Sequence, residues 1–206
     1  MNLSAKQYDL VHDEIIGYVN GCPEAALKSA VSRTVREYVH EIGGIMTDCP
    51  CTAADGNGVF HVDAPFGGRI VQVLRVLHCG DPVNPQAYMV RIDGDVAHVA
   101  FHGVAVRHEH HHHNGHHVQA IAFWEPTLFT KELPHDWFRR HADAICNGVV
   151  AELLTQDGKP WADPAIGAQF MARYGENIRS ELYARHAESM EGGRIDMLDR
   201  MEPFIY

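Results

Sequence analysis

The stretch from Leu133 to Glu191 constrains this chain most, because it reads as two long helices joined by a short, rigid connector. Trp137, Phe138, His141, Ala142, Ile145, Val149, Glu152 and Leu153 recur at three- and four-residue steps, and all but Glu152 can lie against a core. That is the period of a helix and not of a strand. Pro134 suits a first helical turn, where its missing amide would be an orphan anyway. Gly158 suits the far end, where a left-handed residue closes a helix without a Cβ penalty. Lys159-Pro160-Trp161-Ala162-Asp163-Pro164 then turns the chain. Asp163 can cap and Pro164 can open the next helix, in which Ile166, Phe170, Tyr174, Ile178 and Leu182 repeat every four residues. So short a connector makes the two helices antiparallel neighbours. Gly148 in mid-helix costs about 1 kcal/mol against Ala, and close approach of the partner helix explains it.

Upstream, Ser4 and Gln7 form a capping-box pattern that Leu3 and Tyr8 can staple, predicting a helix from about Ala5 to Ile16. Asn20-Gly21-Cys22-Pro23 turns the chain into a second helix. Its stripe of Leu27, Ala30, Val31, Thr34, Val35, Tyr38, Val39 and Ile42 ends at Gly43-Gly44.

Between these helical pairs the period changes. Ile45–Asn57, with Cys49-Pro50-Cys51, reads as a loop. Val59–Val62 and Arg69–Leu77 read as strands separated by Pro65-Phe66-Gly67-Gly68. Ala87–Ile92 and Val96–Phe101 read as strands joined at Asp93-Gly94, a strong two-residue hairpin signal, and Val118–Trp124 as one more. The expected fold is α+β in a single domain over residues 1–206: a bundle of four main helices with a small antiparallel sheet inserted between helices 2 and 3. The helices occupy about 5–42 and 134–191, the β insertion about 58–124 and a C-terminal docking tail 192–206. That tail ends Met201-Glu202-Pro203-Phe204-Ile205-Tyr206, and its apolar side chains call for a surface, on this chain or on a neighbour.

Charge narrows the function. Acidic residues outnumber basic ones by 27 to 17, a net charge of −10 with His neutral. This argues against a protein held to nucleic acid by phosphate contacts, but not against a surface that DNA slides past. No apolar run approaches the roughly 20 residues of a membrane span, and Met1-Asn2-Leu3-Ser4 opens no secretory segment. The five cysteines (Cys22, Cys49, Cys51, Cys79 and Cys146) are odd in number, which fits reduced thiols and a chain made in the cytoplasm.

The loudest motif is His108-Glu109-His110-His111-His112-His113-Asn114-Gly115-His116-His117. Imidazole is the commonest metal ligand, so a zinc or nickel site on this hairpin is one reading. A run of adjacent histidines seldom converges on one ion, however. Asn114-Gly115 most simply places His110, His111, His112, His113, His116 and His117 along the arms of an exposed hairpin, as a possible contact surface. Cys49-Pro50-Cys51 lacks a second cysteine pair at zinc-ribbon spacing. No G-x-S-x-G elbow, Walker loop or dinucleotide fingerprint is present, and His12-Asp13 and His135-Asp136 are adjacent in sequence without being aimed at one point. Nothing in the sequence argues for an enzyme or a cofactor. A hydrolase would need a scattered His/Asp site.

Several segments together resemble the head–tail adaptor (connector) proteins of tailed bacteriophages. Val19-Asn20-Gly21-Cys22-Pro23-Glu24, followed by Leu27, Ala30 and Val31, resembles the Cys-Pro opening of their second helix. Asp63-Ala64-Pro65-Phe66-Gly67-Gly68-Arg69-Ile70-Val71-Gln72-Val73 is similar to the strand that begins their β insertion. Gly148 with Leu153-Leu154, then Gly158-Lys159-Pro160-Trp161-Ala162-Asp163-Pro164, looks like their helix–turn–helix. The His-rich hairpin departs from that pattern. The resemblance implies a virion protein without chemistry of its own. It would form a dodecameric homo-oligomeric ring at the head–tail interface, between the portal protein and a tail or nozzle protein, with DNA crossing the channel. On that expectation Pro203, Phe204, Ile205 and Tyr206 are the portal-docking residues.

Overall fold

A computed structural model describes residues 3–53, 58–102 and 118–191. Among them five helices flank a seven-stranded antiparallel sheet, so the expectation of four main helices carrying a small sheet is corrected.

Helix α1 (Ala5–Ile16) opens on the capping box, with the Gln7 amide donating to Ser4 Oγ at 3.4 Å and the Ser4 amide to Gln7 Oε1 at 3.4 Å. It buries Val11 and Ile15. Helix α2 (Glu24–Glu41) buries the whole stripe from Leu27 to Val39. The helix expected from Pro134 is divided. α3 (His135–Arg140) and α4 (Ala142–Leu154) meet at His141, whose φ of −105° and ψ of 9° leave the helical range. No Gly or Pro marks this break. It lies where His141 packs inward, 5% exposed, beside Tyr38. α5 (Pro164–Glu191) starts as its sequence suggests, with the Ile166 amide donating to Asp163 Oδ1 at 3.1 Å. α5 packs along α4, and Gly148 is where the helices close up: a Cβ there would fall 2.5 Å from Thr34 Cγ2 of α2 and 2.8 Å from the Tyr174 ring of α5.

The strands are β1 (Ile45–Ala53), β2 (Val59–Val62), β3 (Arg69–His78), β4 (Asp81–Pro82), β5 (Tyr88–Asp93), β6 (Val96–Phe101) and β7 (Val118–Glu125), in the spatial order β4-β3-β7-β1-β2-β6-β5. The segment holding Cys49-Pro50-Cys51 is therefore a central strand and not a loop. Pro50 is tolerated because β1 changes partner there: Ile45 to Pro50 pair with β7, and Cys51 to Ala53 pair with β2. The sheet curls into a half-barrel. Two register shifts in β3, between Ile70 and Gln72 and between Val73 and Arg75, insert extra residues, and such bulges bend a strand and increase its twist. The curl brings the Asp93-Gly94 turn round to β3, where the Ile70 amide donates to the Asp95 carbonyl at 3.4 Å.

The concave face of this sheet and the inner faces of α1, α2 and α4 share one apolar core, which includes Val11, Val35, Val99, Ala122, Trp124, Ile145 and Leu153. Each large aliphatic or aromatic side chain so buried contributes about 1.5–3 kcal/mol relative to exposure. Trp124, fully buried, fits only because residue 68 is glycine: a Cβ at Gly68 would lie 2.3 Å from its ring. This close approach fixes the start of β3 against the end of β7.

Candidate functional site

Three elements end at one place. The last turn of α2 brings His40, the last residue of β7 is Glu125, and the first residue of β3 is Arg69. Arg69 and Glu125 are direct cross-strand partners. Arg69 donates from Nε and Nη2 to Glu125 Oε2 at 3.1 and 2.7 Å, and His40 Nδ1 lies 2.9 Å from Oε1. An ionised carboxylate only accepts hydrogen bonds, so His40 carries its proton on Nδ1. The Glu125 side chain is 7% exposed. Burial pushes its carboxyl upward, but the hydrogen bonds and charges of Arg69 and His40 outweigh that and hold it below the ordinary carboxylate value. The group is a fixed anion with both oxygens engaged, which makes it a brace and a poor proton donor.

Beside this brace lies an open cleft of about 600 Å³, walled by Arg33, Arg36, Glu37 and Glu41 of α2 and by the loop after β7. Arg33 is held by Glu152 of α4 through a bidentate ion pair, and Arg36 Nε donates to the Ser32 carbonyl at 3.2 Å. The loop carries Leu128 and Phe129, which are 64% and 84% exposed. It is nevertheless tightly bonded. Thr130 Oγ1 accepts from the Thr127 amide at 2.7 Å, Thr127 Oγ1 accepts from the Phe129 amide at 3.1 Å, and both hydroxyls donate to the Gly67 carbonyl. Next to this loop, Phe66 is 41% exposed and sits in the left-handed region, at φ 57° and ψ 17°. Its carbonyl accepts from the Lys131 amide at 3.3 Å. A left-handed aromatic residue and an exposed phenylalanine on a braced loop are both costly for folding alone, and such strain is characteristic of contact sites. The arrangement supplies charge, a rigid apolar rim and a recess.

A second polar cluster is buried between helices. Tyr38 Oη is 3.0 Å from His141 Nδ1, with Trp137 and Tyr174 stacked around them. Burial holds the imidazole below its ordinary value, against the pull of Glu181 and with the push of Arg185 and Arg140, so it stays neutral. It fastens α2 to the α3–α4 break.

The residues singled out in the sequence fare differently. His110, His111, His112, His113, His116 and His117 lie outside the described residues, as do Pro203, Phe204, Ile205 and Tyr206. His12 and Asp13 are bonded at 3.0 Å on an exposed face, and Glu24 joins them 3.5 Å from His12 Nε2. Cys49 and Cys51 lie in β1, where burial first, then Asp48 and Asp63 at Cys49 and Cys49 and Asp63 at Cys51, push their thiols up to about 11 and about 12. Such thiols stay protonated and are poor ligands or nucleophiles. Among the described residues no group of three or more His, Cys, Asp or Glu side chains is placed to hold a metal ion.

The Arg69–Glu125–His40 brace is absent from the sequence reading. Its one signal was a charged residue directly following the apolar strand Val118–Trp124, and its partner lies 56 residues away along the chain. Compared with known proteins, the chain matches no family model and no curated sequence.

Proposed function

We propose that this protein is a structural subunit of a tailed-phage particle: a head–tail adaptor that forms a ring between portal and tail, through which DNA passes, after folding in the host cytoplasm. The observation that carries the reading is the distribution of uncovered apolar side chains on α5. At 28 residues this helix is about 42 Å long, and it packs on its own chain along one side. At 100° per residue, Met171 and Leu182 emerge on one flank of the packed side, Ile166 on the other, and Tyr183 points away. They are 49%, 41%, 41% and 75% exposed. A subunit in a closed ring meets its two neighbours through two different surfaces, so it needs contact area on both flanks of a rigid element. The net charge of −10 suits a channel wall that does not retain DNA. The apolar segment Pro203–Tyr206 supplies a portal-docking tail.

The test is to mix the purified protein with portal rings and image the product. The reading expects rings seated on portals, and weakened attachment of protein lacking Pro203–Tyr206 that otherwise folds normally. Protein that stays monomeric beside portals, or truncated protein that attaches as well as the full chain, refutes it. The alternative of a metal-binding protein rests on residues 108–117 alone, and stoichiometric zinc or nickel in protein purified without metal resin would favour it.

A further inference from the structure

We infer that the cleft between the end of α2 and the loop after β7 is the seat of this chain's own C-terminal segment, Met201–Tyr206. Leu128 and Phe129 are largely exposed on a loop held by four side-chain hydrogen bonds, and Phe66, whose carbonyl bonds to that loop, is left-handed. A rim ordered in advance binds without the entropy cost of ordering it, which favours a short apolar occupant.

The course of α5 selects which occupant. Arg185 Nη1 donates to the Ile42 carbonyl at 2.6 Å, and its guanidinium lies 5.3 Å from the centre of the Phe123 ring. Ile42 directly follows Glu41 in the cleft wall, and Phe123 is two positions before Glu125. The last helix therefore delivers the chain to the edge of the cleft. It ends at Glu191, about 9 Å of helix beyond Arg185. The residues 192–206 that follow span at most about 50 Å when extended, against about 9 Å of helix between Arg185 and Glu191. Gly192-Gly193 at the exit permits a reversal that residues with a Cβ resist. Phe204, Ile205 and Tyr206 match the apolar rim, and tethering makes their docking intramolecular, so it needs no high affinity. The inference does not rest on the adaptor reading. A tail seated at home would simply have to leave its cleft to reach another protein.

The test uses the full chain with p-benzoylphenylalanine at position 204, irradiated at low concentration and mapped by peptide mass spectrometry. The expected result is a cross-link into residues 126–131 that migrates as a monomer on a denaturing gel. Its yield should fall at least fivefold in Phe129→Ser and in Leu128→Ser. Both side chains are exposed, so these variants keep the fold, which circular dichroism verifies. Cross-links that map elsewhere, that form only between chains, that fail to form, or that persist undiminished in both variants overturn the inference. Loss of portal binding would leave it standing.

Discussion

Arg69 and Glu125 face each other across the β3–β7 ladder, and the arginine directs two N–H groups at one carboxylate oxygen while His40 holds the other. This pair closes the end of the sheet against the last turn of α2, and it has measurable consequences. Glu125→Gln keeps the shape but removes the charge from three charge-assisted bonds, and is expected to cost about 1–3 kcal/mol. Arg69→Met should cost a similar amount, because it leaves a buried carboxylate with a single partner. The double variant should cost less than the sum, since the two residues act on one contact. Urea denaturation of the four proteins at neutral pH measures this, and single variants within about 0.5 kcal/mol of wild type would sink it. The sign with pH follows. The folded carboxyl titrates below its ordinary value of 4.5, so the stabilisation is full above that value and is lost as pH falls through the folded value. Wild type should therefore lose its advantage over Glu125→Gln as pH falls below the ordinary value of 4.5 and through the lower folded one.

His141 acts with the opposite charge. Burial favours its neutral form, so its folded value lies below the ordinary 6.5 and the unfolded chain takes up the proton first. Stability is full above 6.5 and declines as pH falls towards the folded value. Glu181, Arg185 and Arg140 are the charges that bear on it, and Tyr38 Oη bonds to it. In His141→Gln, which keeps a bonding group for the tyrosine, the decline below the ordinary value of 6.5 should flatten even though the variant is less stable at pH 7. Parallel curves for the two proteins over that range would show that the imidazole is not the titrating group.

These two polar sites also mark where the sequence stopped being readable. α1 was legible because Ser4 and Gln7 cap it locally, and the β5–β6 hairpin because Asp93-Gly94 dictates its turn. β1 was not, because Cys49-Pro50-Cys51 carries a loop signature. Only the change of partner at Pro50, which is a tertiary fact, lets a proline stand in a central strand. The division at His141 had no Gly or Pro to announce it; contact with Tyr38 of α2 is its local accompaniment. The size of the sheet was underestimated because β1 and the two-residue β4 did not read as strands; β3 was legible over Arg69–Leu77, but the bulges that bend it were not. The Arg69–Glu125–His40 brace joins three segments remote in sequence, and no window along the chain contains it. The apolar segment 201–206 and the His-rich segment 108–117 were conspicuous in sequence, but lie outside the described residues.

Phe66 offers a test of strain at the cleft. A left-handed conformation costs a residue with a Cβ about 1–2 kcal/mol, and glycine avoids that cost while losing more entropy on folding. The Phe66 ring is only partly covered, with its centre 6.2 Å from that of Trp124. Phe66→Gly should therefore change stability by less than about 1 kcal/mol, whereas Phe66→Val, which resists the same backbone, should cost more. Thermal unfolding of the two variants decides this, and equal losses would mean that the ring and not the backbone matters.

Gly148 and Gly175 give opposite expectations for the same substitution. Both lie inside helices, where exchanging glycine for alanine gains about 1 kcal/mol from propensity alone. At Gly175 a new Cβ meets nothing within 4 Å, so Gly175→Ala should realise most of that gain. At Gly148 the same atom would press 2.5 Å from Thr34 Cγ2 and 2.8 Å from the Tyr174 ring, forcing α2 and α5 away from α4. Overpacking of that kind costs about 1–3 kcal/mol or more, which exceeds the propensity gain, so Gly148→Ala should be destabilising. The comparison is internal, since helix propensity enters both variants equally and only the neighbours differ. Chemical denaturation should separate the two by about 1–3 kcal/mol, with Gly175→Ala above wild type and Gly148→Ala below it. If both alanines stabilise the protein, the close approach of α4 to α2 and α5 at Gly148 is wrong, and with it the helix packing that brings the end of α5 to the cleft.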